Sequence, residues 1–272
     1  MSTATQPVVA TPVKAATGDF VWHELRTTDA KGALEFYTHV VGWQATPSGD
    51  PGGTPYTLLS IGGYSTAGLM QLTPDMLGAG MQPSWAGFIG VDDVDAYAKR
   101  LEQAGGKLHC APMDIPTVGR FASVEDPQGT AFLLFKGSLD YAPPRPAAGS
   151  PGTIGWNELS ANDGPSAWTF YSDLFGWTEE RVMDMGPMGI YRIFTNGGPA
   201  IGGMMTRDPS KSPVPFWLYY LSVEDIDAAV TRIKEKNGQV LMGPHEVPGG
   251  TWIILGLDPQ GAMFALVGPK KQ

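Results

Sequence analysis

WHELRTTDAKGALEFYTHVVGW (22–43) and WNELSANDGPSAWTFYSDLFGW (156–177) are two versions of one motif, set 134 residues apart. The shared positions are Trp22/Trp156, Glu24/Glu158, Leu25/Leu159, Asp29/Asp163, Phe36/Phe170, Tyr37/Tyr171, Gly42/Gly176 and Trp43/Trp177. Outward from this pair the correspondence continues. PYTLLSIGGYSTAGLM (55–70) matches IYRIFTNGGPAIGGMM (190–205), and WAGFIGVDDVDAYAKRLEQAGGKL (85–108) matches WLYYLSVEDIDAAVTRIKEKNGQV (217–240). DPQGTAFLLF (126–135) then matches DPQGAMFALV (258–267). Matches in the same order, with small drifts in offset, mean an internal duplication with changes in loop length.

Each copy carries the same local pattern. Residues 20–26 read as a strand, and Asp29 is placed to cap a helix through its side-chain oxygen. That helix presents Ala33, Leu34, Phe36, Tyr37, Val40 and Val41 at three-and-four spacing and stops at Gly42. Short strands are expected over Tyr56–Ile61, Gly68–Leu72 and Trp85–Val91. A second helix, capped at Asp92 or Asp93, runs to Gly105-Gly106. Strands near Lys107–Ala111, Phe121–Glu125 and Ala131–Phe135 close the unit, the last two turned by Asp126-Pro127-Gln128-Gly129. One copy thus holds two strand–helix–strand–strand–strand modules and the chain holds four. The boundaries that follow are a flexible tail over 1–18, a first domain over 19–138, a Pro-rich linker over 139–151 and a second domain over 152–272. The linker lies within GSLDYAPPRPAAGSPG (137–152), whose four prolines favour an extended chain.

Composition narrows the partners. The 272 residues include 36 Gly and 24 Pro, fitting many turns and short strands, while 42% hydrophobic residues with 8 Trp argue for packed cores. Charged residues are 17% of the chain and the formal net charge is −9. Nucleic acid and anionic membranes are poor partners, because phosphate binding needs a basic stripe; a neutral or cationic small molecule suits this surface better. The lone Cys110 makes no internal disulfide and gives no sign of an oxidising compartment. The first eighteen residues read as a polar tail rather than a signal peptide, and no apolar run approaches the roughly 18–20 residues of a membrane span. A cytoplasmic location is the expectation.

The pattern D-x(6)-F-Y-x(4)-G-W after a first strand, followed by D-P-x-G and a closing apolar strand, resembles the vicinal-oxygen-chelate superfamily. That group includes glyoxalase I, extradiol dioxygenases, and fosfomycin and bleomycin resistance proteins. The fuller pattern WxEL…D…FY…GW is similar to tandem bacterial members described as glyoxalase-like. The resemblance covers nearly all of 19–270. It implies an α+β fold of four βαβββ modules, paired into two glyoxalase-like domains whose curled mixed sheets enclose clefts. It leaves the chemistry open, since the superfamily spans several.

Metal-dependent members hold a divalent ion with His, Gln or Glu at four cleft-facing positions, where the ion polarises substrate oxygens. Carried over by distance from the motifs, these positions fall on Trp22 and Trp156, on Leu133 and Ala265, near Ala86 and Leu218, and near Gln71 and Thr206, with Met70 and Met205 adjacent. A slip of one residue admits His23, but its counterpart is Asn157. The final strands Phe132–Phe135 and Phe264–Val267 hold no carboxylate in any register. A hard divalent ion needs several converging oxygen or imidazole donors, so the expectation is no metal and no cofactor in either half.

Glu24 and Glu158 lie two residues beyond the tryptophans and share their strand face. Each is either a cleft carboxylate that orients a ligand or acts as general base, or a structural Glu held by a neighbouring Arg or Tyr. Trp22, Trp85, Trp156 and Trp217 begin strands expected to face the clefts, as ligand platforms or as packing. The ligand-binding set is therefore Trp22, Glu24, Gln71, Trp85, Trp156, Glu158, Met205 and Trp217, with Glu24 and Glu158 as the catalytic candidates. His23 is expected to face away from the cleft, His39 to lie at the surface, and Arg120 to anchor an anion or serve the surface. No Ser-His-Asp signature, P-loop or G-x-G-x-x-G is present.

The preferred function is metal-free binding of a small hydrophobic or aromatic molecule, cationic if the charge balance is a guide, as the bleomycin-resistance branch implies. The alternative is a glyoxalase-like lyase or dioxygenase with a non-standard site, metal-dependent or not, built on Glu24, Gln71 or Glu158. A small molecule is the expected partner, and the chain is expected to act as an intramolecular pseudo-dimer or a homodimer.

Overall fold

Asp29 caps its helix as its position suggests: the side chain accepts from the Gly32 amide at 3.0 Å. Gly42 ends the helix at a φ of 87°, a left-handed conformation that costs glycine little. In the second copy Asp163 precedes the helix without a side-chain cap, and the Gly164 amide donates instead to the Thr206 hydroxyl at 2.9 Å.

The structure, a computed structural model, describes residues 17–49, 54–138, 146–147 and 149–271. Most of the expected N-terminal tail (1–16) and the linker over 139–145 lie outside the described residues. The first copy runs β1 (Phe20–Thr27), α1 (Ala30–Val41), β2 (Gln44–Pro47), β3 (Tyr56–Ile61), β4 (Tyr64–Gln71), the short α2 (Pro74–Gly78), β5 (Ser84–Gly90), α3 (Val94–Gln103), β6 (Lys107–Ile115), β7 (Gly119–Glu125) and β8 (Ala131–Gly137). The second runs β9 (Ile154–Ala161), α4 (Gly164–Phe175), β10 (Thr178–Asp184), β11 (Ile190–Thr195), β12 (Ala200–Thr206), β13 (Phe216–Ser222), α5 (Ile226–Glu235), β14 (Gln239–Val247), β15 (Thr251–Leu257) and β16 (Met263–Gly268).

Each copy forms one eight-stranded mixed sheet, in the orders β2-β3-β4-β1-β5-β8-β7-β6 and β10-β11-β12-β9-β13-β16-β15-β14. β1 pairs antiparallel with β5 at the centre, while β4 runs parallel to β1 and β8 parallel to β5. The fold is α+β, with two βαβββ modules to a sheet. Strands β2 and β10 have no counterpart among the elements expected from the sequence. β2 is exposed along its whole length, so it has no buried face for an apolar pattern to mark.

The helices pack on the inner faces, α1 against α5 and α3 against α4 across the two copies. One continuous core results, joining Leu25, Phe36, Tyr37 and Trp85 to Leu159, Phe170, Tyr171 and Trp217. Paired hydrogen bonds stitch the seam. Trp85 donates its indole N–H to the Tyr37 hydroxyl at 2.9 Å, and Tyr37 donates to Asp258 of the other copy at 3.1 Å. In mirror fashion Trp217 donates to Tyr171 at 3.2 Å and Tyr171 to Asp126 at 3.1 Å. Trp43 and Trp177 donate across the seam to the Gly152 and Gly18 carbonyls at 2.7 and 2.8 Å. Between the sheets the equivalent residues His23 and Asn157 meet at 2.8 Å. Most of the repeated motif is therefore the joint between the copies. No helix among the described residues is long and apolar enough to cross a membrane.

Candidate functional site

Strand alternation divides each sheet into an inner face, committed to the shared core, and an outer one. On β1, Leu25 points inward; Trp22 and Glu24 point outward and lie opposite Phe88 and Ala86 of β5. On the outer face Ala86, Phe88 and Leu133 form a separate apolar cluster with Val21, Trp22, Phe121 and Phe135. The second copy repeats it with Leu218, Tyr220 and Ala265, packed by Trp156, Phe216 and Ile253 among others. Every member of these clusters comes from a strand of one sheet, yet Ala86, Phe88 and Leu133 are only 8, 5 and 3% exposed. Each outer face, on which these side chains shield one another, is the candidate cleft.

Three of the four family metal positions converge in each cleft: Trp22, Ala86 and Leu133 in one, Trp156, Leu218 and Ala265 in the other. The fourth is Met70, which stands opposite Arg26 and Tyr56 in the ladder, or Met205, opposite Tyr191 and Ser160. Gln71, expected in the ligand set, instead faces the helix side and accepts from the Ala30 amide at 3.2 Å at the start of α1. The next residue along a strand points to the opposite face, so when Met70 faces the cleft Gln71 cannot.

Trp85 and Trp217, also expected at the clefts, lie in the inter-copy core, each 7% exposed. Their antiparallel partners are Leu25 and Leu159, both inward-facing, and the ladder carries the tryptophans inward with them. The cleft positions offer indole, thioether and methyl groups, and among the described residues no three His, Cys, Asp or Glu gather to hold an ion. These donors do not fit the family's divalent metal.

The polar centre of each cleft is a Trp–Tyr–Glu chain. In the first, the Trp22 indole donates to the Tyr56 hydroxyl at 2.8 Å, and Tyr56 hydrogen-bonds Glu24. In the second, Trp156 donates to Tyr191 at 3.0 Å and Tyr191 donates to Glu158 Oε2 at 2.8 Å. The rings of Tyr56 and Tyr191 lie over Gly68 and Gly203, where a Cβ would collide with them. Burial, reinforced by the adjacent carboxylate, pushes both tyrosine hydroxyls well up, so they remain proton donors at neutral pH.

The carboxylates differ. Glu24 is bound by Arg26 Nε at 3.0 Å. Glu158 has Ser160 in place of that arginine, and Tyr220 in place of Phe88 supplies a second hydroxyl. Burial pushes the Glu158 carboxyl up, and the two tyrosine hydrogen bonds offset this only in part.

Tyr56, Tyr191, Tyr220 and Arg26 were not among the expected site residues. The recurrence of Tyr56 and Tyr191 at one place in the repeat was the available signal. His39 lies exposed beside Glu235 at 2.7 Å, and Arg120 is tied to Asp95 and Asp114 at 2.7 and 2.9 Å on the surface. A groove of about 620 Å³ follows the seam near Arg100, Pro127, Gln128 and Phe170. Gln128 Nε2 donates across it to the Asp163 carbonyl at 2.8 Å and Arg100 to the Leu174 carbonyl at 3.3 Å, so it belongs to the joint.

Residues 19–134 and 153–266 both match the model of the Glyoxalase/Bleomycin resistance protein/Dioxygenase superfamily. The chain belongs to that superfamily. Among this glyoxalase-superfamily chain's relatives, "Putative glyoxylase CFP32" of Mycobacterium tuberculosis (strain CDC 1551 / Oshkosh) is 33% identical over 256 residues, covering 92% of this chain and 95% of the relative. "Anthracycline biosynthesis protein DnrV" of Streptomyces peucetius is 33% identical over 264 residues, covering 93% and 94%. Among solved structures, the Mn(II)-bound glyoxalase from Novosphingobium aromaticivorans aligns with a TM-score of 0.64 at 15% identity, over 95% of this chain and 84% of that one. An extradiol ring-cleaving dioxygenase from B.fuscum gives 0.64 at 13% identity, over 98% and 75%. At such identities the likeness is one of fold.

Proposed function

We propose that this glyoxalase-superfamily chain binds a small aromatic or hydrophobic molecule in its clefts without a resident metal ion. The observation that carries this reading is the convergence of Trp22, Ala86 and Leu133, and of Trp156, Leu218 and Ala265, where metal-dependent members place their donors. Trp22 and Trp156 are only partly buried, and the bond from each indole N–H to a tyrosine holds the ring in place. A ring so held presents apolar surface with little conformational entropy left to lose on binding. A relative named for anthracycline biosynthesis supports a polycyclic aromatic ligand class. Titration calorimetry with acridine tests the reading: saturable binding is expected in the wild type and its loss in the double variant Trp22→Ala/Trp156→Ala. Absence of binding in the wild type, or unchanged binding in the variant, overturns it.

A second reading is catalytic. Glu158, half-buried and held by Tyr191 at 2.8 Å, has a carboxyl that desolvation pushes above its ordinary value, the direction a general base needs, and the mycobacterial relative's name points to glyoxalase-type chemistry.

A further inference from the structure

The two copies share their Trp–Tyr–Glu chain but not its charge. In the first cleft the Glu24 carboxylate already holds a guanidinium, since Arg26 Nε sits at 3.0 Å two residues along the same strand face. A cation entering there meets a neutralised pair and the positive charge of Arg26. In the second cleft the equivalent of Arg26 is Ser160, and Tyr220 replaces Phe88. On β9 itself and the strands that flank Glu158, the groups on its face are Trp156, Ser160, Tyr191, Met205, Leu218 and Tyr220, all uncharged; Arg181 of β10 shares the face three strands along the ladder. Two tyrosine donors leave acceptor positions free on a carboxylate, which has about four. The flanking Trp156 and Tyr220 rings add faces attractive to a cation.

We propose that the second cleft, and not the first, is the site for positively charged aromatic ligands, with Glu158 as the group that accepts the charge. This rests on the aromatic-binding reading above and assigns a ligand class to one of its two clefts. It makes position 26/160 the specificity switch between the copies. Arginine there closes a cleft to cations, and serine opens it.

The test is calorimetric titration of the full chain near pH 7.5 with two nearly isosteric probes, neutral acridine and the permanent cation N-methylacridinium. The wild type is expected to bind one N-methylacridinium per chain more tightly than acridine. Glu158→Gln, which keeps the shape of the side chain, should weaken the cation by about tenfold or more while acridine changes little. Ser160→Arg should do the same by supplying the missing partner, and Arg26→Ser should create a second cation site. Unfolding midpoints identify any variant lost to misfolding, and the gain in Arg26→Ser needs a folded protein to be seen at all. If acridine binds but the cation shows no preference, or keeps its affinity in both Glu158→Gln and Ser160→Arg, this inference falls alone. If neither probe binds the wild type, the aromatic-binding reading falls with it.

Discussion

Tyr37 of the first copy donates its hydroxyl hydrogen bond to Asp258 of the second at 3.1 Å, and Tyr171 returns the same bond to Asp126. Burial pushes both carboxyls up, and the tyrosines and nearby backbone amides offset part of that cost. The Asp of each D-P-Q-G turn and the Tyr of each F-Y pair are thus halves of one joint, which explains why both recur in the repeat.

Tyr37→Phe removes the hydroxyl and leaves Asp258 and the Trp85 indole short of a partner. The expected loss is on the order of 2–3 kcal/mol, read as a lower urea midpoint in a single transition, because the two copies share one core. Two separate transitions in the wild type would contradict a common core.

The pH dependence of stability isolates Glu158. Its folded carboxyl is raised above the unfolded value of about 4.3. Between the two values the folded chain keeps a proton that the unfolded chain has released, so stability falls as pH rises through that window. Glu158→Gln removes this contribution. Urea titrations from about pH 4 to 8 should therefore show the variant gaining on the wild type as pH rises. Parallel profiles would contradict a raised carboxyl at Glu158.

Core and cleft tryptophans should separate cleanly. Trp85→Phe is expected to cost about 1–3 kcal/mol by leaving the Tyr37 hydroxyl without its donor, with acridine affinity unchanged. Trp156→Ala should lower acridine binding with a smaller effect on stability. A Trp85→Phe protein of normal stability that no longer binds acridine would move Trp85 back into the site.

Gln71→Ala tests the reassignment of Gln71. Loss of its bond to the Ala30 amide should weaken the start of α1 by about 0.5 kcal/mol, a modest value because the position is exposed. Calorimetry should find ligand affinity unchanged.

The duplication, the α+β modules and the inner faces of the long helices were legible in the sequence, because a repeat and a three-and-four apolar pattern are local signals. The shared outer face of Trp22 and Glu24 was legible for the same reason, since they lie two apart on one strand. The placement of Trp85 was not, since it depends on the β1–β5 register that sets it opposite Leu25. Gln71 was misplaced by a single step along β4, which exchanges the two faces of a strand. Tyr56 lies 32 positions from Glu24 and reaches it only through the pairing of β3 with β4 and β4 with β1, which no local pattern records.

The binding proposed for these clefts needs no metal of the kind their fold family often carries. The direct measurement is metal analysis of the full chain purified without chelator, followed by calorimetric titration with Mn²⁺, Fe²⁺, Ni²⁺ and Zn²⁺. No stoichiometric ion and no saturable binding is expected at either cleft. One ion per cleft, displaced when Trp22 or Trp156 is changed, would contradict it.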